Sequence, residues 1–370
     1  MSDIIIIGPS NSGKTYIGNY FASRFSLPVF NCDSVQIYKF LNSVTSKPVF
    51  ADQTIREGEV VSTIYLQIEF DIQKYQNTSF KVYERENGEL VSHEFYVHDF
   101  LDFINNYLTK KYAESKKDEV DNYLFDIKEP LESYSSYEFE CDVKRIVKKF
   151  DLKNKIIVGG TIYYVYNHIF HTNNELNIKN DALEGSRDYS VIRTKDSIEI
   201  LKKYDPEALE IIDVKNRRRV ETAAKFVIES GRKYSSEYFR PHKPLDNFLL
   251  IILNPKDRKE YYKSLDNIID ERLNKKTFEE LDFIVKKYGP ESAQWLEKLS
   301  YEYKYFLQIH SLFGKNGIEY YSLNPVLSQE IQEILQILKY KEHQYAKRQM
   351  TFIRRLERKL IYGTTILSST

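Results

Sequence analysis

The sequence predicts an α/β fold with a parallel sheet at its centre, and three adjacent stretches predict it. Ile4 to Ile7 are four consecutive isoleucines, the pattern of a strand buried on both faces. The run ends at Gly8-Pro9-Ser10-Asn11-Ser12-Gly13-Lys14-Thr15, which satisfies the phosphate-loop pattern G-x-x-x-x-G-K-[ST] at every fixed position. The next residues, YIGNYFASRF, carry apolar groups at helical spacing. Strand, loop and helix in this order make a P-loop NTPase-like core. Gly8 and Gly13 let successive N–H groups turn inward, Lys14 supplies a point charge, and the Thr15 hydroxyl can hold Mg²⁺. The helix N-terminus adds its partial positive charge to the same place. Gly8 through Thr15 are therefore the candidate anion-binding residues; they specify an anion and not a reaction.

Further along, Leu27 to Cys32 reads as a second short strand ending at Asp33-Ser34. Ligand chemistry in doubly wound sheets gathers beyond the carboxyl ends of strands, so Asp33 belongs on the same rim as the loop. An acid there can be a Mg²⁺ ligand, a general base, or the N-cap of a following helix. Residues 49–119 change character and read as a small α+β insertion. Val60 to Tyr75 alternates as a half-buried strand does, and Asn87-Gly88 between two strand-like runs is a hairpin signal. A helical pattern follows from His98, with no catalytic constellation in it.

The sheet resumes at Lys155 to Val158 and ends in Gly159-Gly160-Thr161. Many phosphate-loop ATPases place an aspartate at such a strand end to hold Mg²⁺. Two glycines and a threonine allow close backbone approach and a hydrogen bond instead, which favours diphosphate chemistry other than ATP hydrolysis. Thr194 to Tyr234 is helical by pattern, broken at Asp205-Pro206, with Arg217, Arg218 and Arg219 opening its last helix and Gly231 closing it. Asp246 to Leu253 is another buried strand, and long helices fill 256–287, 291–313 and 325–359. The last is locally basic: Lys339, Lys341, Lys347, Arg348, Arg354, Arg355, Arg358 and Lys359 outnumber Glu342 and Glu357. Basic residues with interleaved aromatics (Tyr345, Phe352) suit a nucleic-acid backbone; an amphipathic helix packed on a core has the same composition.

Bulk composition excludes more than it selects. With Lys+Arg 54 against Asp+Glu 54, formal net charge is zero, so any nucleic-acid surface has to be local. Two cysteines and scattered histidines offer no zinc spacing and no disulfide framework. No apolar run approaches the roughly 20 residues that span a bilayer, and no secretory leader is evident. The expectation is a cytoplasmic protein with no membrane partner. The domain layout expected is a P-loop core from 1–48 and 120–171, the insertion 49–119, a helical insertion 172–240, and core completion with a helical C-terminal region over 241–370.

GPSNSGKT, CDSVQIYK with TSKP, VGGTIYY, DPEALEIID…RRR…SGRKYS and YAKRQMTFIRR occur here in one order. In that order they resemble the tRNA dimethylallyltransferases. The resemblance implies that Gly8–Thr15 hold the diphosphate of dimethylallyl diphosphate, with Mg²⁺ on Thr15 as cofactor. It implies an acceptor at N6 of the adenosine just 3′ of the anticodon in a tRNA anticodon stem-loop. By the same resemblance the catalytic residues are Lys14, Asp33 as general base and Thr161 as the group that positions the reactants. Asp33, Ser34, Val35, Gln36, Thr161, Arg218, Arg219, Lys347, Arg348, Gln349, Thr351 and Arg354 would meet tRNA, and the enzyme would act as a monomer. Departures from the family pattern are Asn122-Tyr123-Leu124-Phe125-Asp126 without histidines, Ile162 in place of a glycine, Thr222 in place of an arginine, and the 49–119 insertion itself. The competing expectations are an adenylate isopentenyltransferase acting on free AMP, ADP or ATP, a P-loop small-molecule kinase, and a tRNA-binding protein without catalysis.

Overall fold

The computed structural model describes residues 2–65, 70–112, 114–115, 118–170, 194–238, 243–313 and 329–362. It divides into two units, Met1–Tyr166 with Leu245–Thr364, and one built on Asn167–Pro244.

The first unit is built on a nine-stranded sheet. In chain order the strands are β1 (Asp3–Ile7), β2 (Val29–Asn31), β3 (Asp52–Arg56), β4 (Glu59–Tyr65), β5 (Thr78–Glu86), β6 (Glu89–Phe95), β7 (Glu119–Tyr123), β8 (Ile156–Gly159) and β9 (Phe248–Pro255). Their spatial order is β3-β4-β7-β2-β8-β1-β9-β5-β6. The five central strands, β7 to β9, are parallel, with Ile4 paired to Ile156 on one side and to Leu249 on the other. Ile4 to Ile7 are fully buried, as a run without alternation requires in a strand covered on both faces. Helix α1 (Lys14–Phe25) follows β1 directly and packs Ile17, Phe21 and Phe25 into the core.

The strands of the 49–119 segment join the central sheet. Its first hairpin, β3-β4, pairs antiparallel with β7 at one edge, and its second, β5-β6, pairs antiparallel with β9 at the other. Asn87 (φ 51°) and Gly88 (φ 87°) form the turn of the second hairpin with both central residues left-handed, as a type I′ turn demands. The Val60–Tyr75 alternation is strand only to Tyr65, and Gln73–Tyr75 is a 3₁₀ turn; Ile68 lies outside the described residues. The helical run that follows is Val97–Phe103, a π-turn at Ile104–Leu108, and Thr109–Tyr112. Its Phe100 stacks on Phe80 with centroids 3.9 Å apart and meets Phe21 of α1 at 6.3 Å. Segment 49–119 thus shares one hydrophobic core with β1 and α1.

Helices Arg258–Arg272, Lys275–Tyr288, Glu291–Leu299 and Tyr301–Phe313 follow β9, and a final helix spans Gln329–Tyr362. The sequence reading began that helix at Pro325, which lies outside the described residues. Ile331, Leu335, Leu338, Ala346, Gln349, Ile353, Leu356 and Leu360 form its buried stripe, at the three- and four-residue steps of an amphipathic helix. Buried Glu357 accepts from Lys81 Nζ (3.0 Å) and Tyr83 Oη (2.8 Å), tying this helix to β5.

The second unit holds helices Thr194–Tyr204, Ala208–Ile211, Arg217–Ser230 and Tyr234–Tyr238 around Leu201, Ala208, Val220 and Ala224. Buried Asp205 accepts from the N–H (2.8 Å) and hydroxyl (2.6 Å) of Ser235, so the DPEALEIID and SGRKYS segments are clamped together. Asn216 caps the Arg217 helix and Gly231 (φ 65°) ends it. Residues 172–193 of the expected helical insertion 172–240 lie outside the described residues.

Candidate active site

Three strand ends meet on one rim: β1 runs into the loop Gly8–Thr15, β2 into Asp33, and β8 into Gly160-Thr161. A cavity of about 650 Å³ opens there, lined by Ser10, Asn11, Gly13, Lys14 and Thr15 from the loop, by Asp33 to Gln36, and by Gly159 to Thr161. Gly8, Pro9 and Ser12 are buried behind this face. Ser12 Oγ has no hydrogen-bond partner among the described residues. Gly13 needs its left-handed backbone (φ 82°) to start α1.

The loop is held from segments far away in sequence. Tyr261 Oη donates to Ser10 O (2.7 Å), and Asn11 Nδ2 donates to Ser264 O (3.2 Å). Tyr75 Oη donates to Gly13 O (2.8 Å). Gln349 Oε1 accepts from Ser10 N (2.9 Å) and Oγ (3.1 Å), while its Nε2 donates to Gly160 O (3.0 Å). Gln349 is only 7% exposed and joins the phosphate loop to the end of β8. Gln349 lines the cavity as well, and its amide is hydrogen-bonded on both sides within the fold. Nothing in the local sequence identifies Tyr75 or Tyr261, because their partners are distant; Gln349 stood out only as part of YAKRQM.

Asp33, Lys14 and Gln349 converge on one methyl-sized space. A Cβ on Gly160 would lie 3.4 Å from Asp33 Oδ2, 3.4 Å from Gln349 Nε2 and 3.5 Å from Lys14 Cε. Burial lowers the pKa of the Lys14 ammonium, and the Asp33 charge opposes that; an arriving diphosphate would act in the same sense as Asp33. Lys14 Nζ donates to Pro9 O (3.1 Å). The residues after Asp33 form turns, so of its three candidate roles the capping of a following helix does not apply. Asp33 Oδ1 accepts from Val35 N (2.9 Å) and Gln36 N (3.4 Å), an Asx-type turn that leaves Oδ2 on the Gly160 side. Thr161 Oγ1 accepts from Ser34 N (2.9 Å) and donates to Ser34 Oγ (3.2 Å), which fixes the Asp33-Ser34 turn against β8. Gln36 Nε2 donates to Thr45 O (3.0 Å), and Lys47 of the TSKP segment pairs with Asp126 at 2.5 Å. Burial, then the Asp33 charge, push the Cys32 thiol up, so it is an unreactive neighbour.

Oxygen donors suit Mg²⁺, and Thr15 and Asp33 both line the cavity. Among the described residues no group of three or more His, Cys, Asp or Glu could hold a metal ion.

The IPP transferase family model matches residues 106–356. The tRNA dimethylallyltransferase of Fusobacterium nucleatum is 30% identical over 353 residues, covering 95% of this chain and 88% of that protein. The chain belongs to the IPP transferase family. The tRNA dimethylallyltransferase of Bacillus licheniformis is 25% identical over 360 residues, covering 95% of this chain and 87% of its own length. The fold resembles a crystal structure described as eukaryotic dimethylallyltransferase acting on tRNA, with a TM-score of 0.58 at 17% identity, covering 98% of this chain and 72% of that one.

In this IPP transferase the outer face of Gln329–Tyr362 is basic and exposed at Lys347, Arg348, Arg354 and Arg355, so packing and a basic surface occupy opposite faces of one helix. Lys347, Arg348, Thr351, Phe352 and Arg355 line a surface groove. Arg348 also reaches the main cavity, where its guanidinium donates to Tyr301 Oη (3.1 Å) and lies 5.8 Å from the Tyr345 ring centre. Thr351 Oγ1 donates back to Lys347 O (2.9 Å). Arg219 is exposed on the first turn of its helix, and the Arg218 side chain lies outside the described residues.

Glu342 also lines the cavity and was absent from the expected set. Burial, then the Glu302 charge, push the Glu342 carboxyl up to about 8, against Arg272 and Arg348. A folded-state pKa above the unfolded 4.5 makes this group's contribution full at low pH and progressively lost as pH rises toward 8. Glu342→Gln is expected to flatten the fall in thermal midpoint across that window, read by thermal unfolding at a series of pH values. Parallel curves for the two proteins would show that the Glu342 carboxyl does not titrate in the window.

Proposed function

We propose that the chain transfers a dimethylallyl group from dimethylallyl diphosphate to the exocyclic N6 of an adenosine in tRNA, releasing diphosphate. The observation that carries this reading is the convergence of Lys14, Asp33 and Gly160-Thr161 on one cavity. In the reaction a C–N bond forms from N6 to the allylic carbon, and the C–O bond to diphosphate breaks with its electron pair leaving on oxygen. The N6 proton goes to the Asp33 carboxylate, which lies beside Lys14 at the Gly160 end of β8. Lys14 and the N–H groups at the N-terminus of α1 stabilise charge gathering on the leaving group. Thr15 and the diphosphate oxygens would hold Mg²⁺, which supplies further neutralisation of that charge. Leu265, Ile268 and Ile269 give the cavity an apolar wall suited to a prenyl tail.

The acceptor is read as the adenosine 3′ of the anticodon, whose base has to leave its stack at a cost of about a few kcal/mol. Lys347, Arg348, Thr351 and Arg354 on the basic helix face, with Ser34, Val35 and Gln36 at the cavity, are read as tRNA contacts, and Arg218 and Arg219 as contacts from the helical unit. The tRNA enzymes among the relatives favour this reading over an adenylate isopentenyltransferase or a kinase. Incubation with labelled dimethylallyl diphosphate and Mg²⁺, offering tRNA and AMP as rival acceptors, tests it: label is expected in tRNA, and label in AMP alone overturns it. Lys347→Ala with Arg348→Ala is expected to weaken tRNA binding and to make the slope of log affinity against log salt shallower by roughly 1.4–1.8. An unchanged slope, measured by titration at several salt concentrations, would leave this helix face without a role in RNA binding.

A further inference from the structure

Segment 49–119 reaches the phosphate loop with two consecutive residues of the turn Gln73–Tyr75. Tyr75 is 1% exposed, with its ring centre 5.5 to 6.1 Å from those of Phe70, Phe80 and Tyr16, and its hydroxyl is bonded to Gly13 O. A Cβ on Gly13 would lie 2.7 Å from that hydroxyl, so turn and loop are in close contact. Asp71 Oδ1 accepts from Lys74 N (3.2 Å) and fixes the turn from its other side. Lys74, held between these two anchors, lines the same cavity as Lys14 and Thr15. Its Nζ sits 4.6 Å from the centre of the Tyr16 ring, and Tyr16 directly follows Thr15.

Among the described residues Lys74 makes no ion pair. Exposed cation–π contacts are weak, so the ammonium is free to exchange the ring for a stronger, charge-assisted partner. A diphosphate presents several anionic oxygens, more than the single ammonium of Lys14 can pair with. We propose that Lys74 is a second cation for the diphosphate, acting from the Thr15-Tyr16 side of the loop. Segment 49–119 is then part of the donor site as well as of the sheet. This rests on the reading of the cavity as a diphosphate site.

The test uses the full chain with Mg²⁺ and inorganic diphosphate, measured by calorimetry on wild type, Lys74→Met, Lys74→Arg and Lys14→Met. Lys74→Met is expected to bind diphosphate about tenfold more weakly and to raise KM for dimethylallyl diphosphate by a similar factor, with tRNA affinity unchanged. Lys74→Arg keeps the charge and is expected to stay within about twofold of wild type. Three outcomes overturn the proposal: Lys74→Met binding diphosphate as wild type does, Lys74→Arg being as weak as Lys74→Met, or tRNA affinity falling in step with diphosphate affinity. A wild type that binds no diphosphate and transfers no label fails at the reading of the site itself. A wild type that binds and transfers, with Lys74→Met its equal, removes only the role of Lys74.

Discussion

Asp33→Asn is expected to lower the rate of prenyl transfer by about 10²–10⁴-fold with tRNA binding nearly intact. The substitution keeps the shape of the side chain. An amide oxygen can still accept from Val35 N and Gln36 N, so the turn that carries Ser34 survives. The Thr161 hydroxyl still bridges to Ser34. What disappears is the carboxylate charge beside Lys14 and the only group among the three strand ends that can take a proton from a weakly acidic amine. Single-turnover transfer of labelled dimethylallyl diphosphate to tRNA reads the rate, and a parallel filter-binding titration reads the affinity. A transfer rate within a few-fold of wild type would end the assignment of Asp33 as base.

Gly159→Ala is expected to cost about 3 kcal/mol of stability and to abolish transfer. A Cβ at this position would lie 2.0 Å from Cys32 O and 2.2 Å from Cys32 C. Both are backbone atoms, and the strands that carry them are locked in register. Cys32 N donates to Val158 O (2.8 Å), and Thr161 N donates to Cys32 O (3.1 Å). No rotamer change can relieve such a contact, so the end of β2 has to move, and Asp33 is the next residue. Gly160→Ala is the informative contrast. Its Cβ would stand 3.4 Å from Asp33 Oδ2 and Gln349 Nε2, an ordinary contact, so the fold is expected to persist while the space between base and loop is narrowed. Urea unfolding of both variants distinguishes them, and wild-type stability in Gly159→Ala would show that the β2 and β8 ends separate more freely than their hydrogen bonds imply.

The features legible in the sequence are those whose cause lies within a few residues. Four isoleucines in a row announce a strand covered on both faces, the loop pattern announces an anion, and Asn87-Gly88 announces a tight turn. Asp33 and Thr161 were placed on the loop's rim by one topological rule about parallel strands. The alternation in β4 and β5 identified strands but not their neighbours, since a period of two says which side chains share a face and nothing about the next strand. The 49–119 segment was therefore read as an α+β insertion without a place in the sheet's strand order, and its two hairpins complete both edges of the sheet.

By itself, then, the sequence determined the anion loop, the acid near it and the basic face of the last helix, each written in consecutive or regularly spaced residues. Only the tertiary structure decided what grips that loop. Gln349 reaches Ser10 across 339 residues, and Tyr75 reaches Gly13 from the turn between two hairpins, in a segment with no catalytic signature. The physical reason is that a hydrogen bond depends on the separation of two atoms in space, and distant pairings become readable only when the sheet and the helices packed on it bring the partners together.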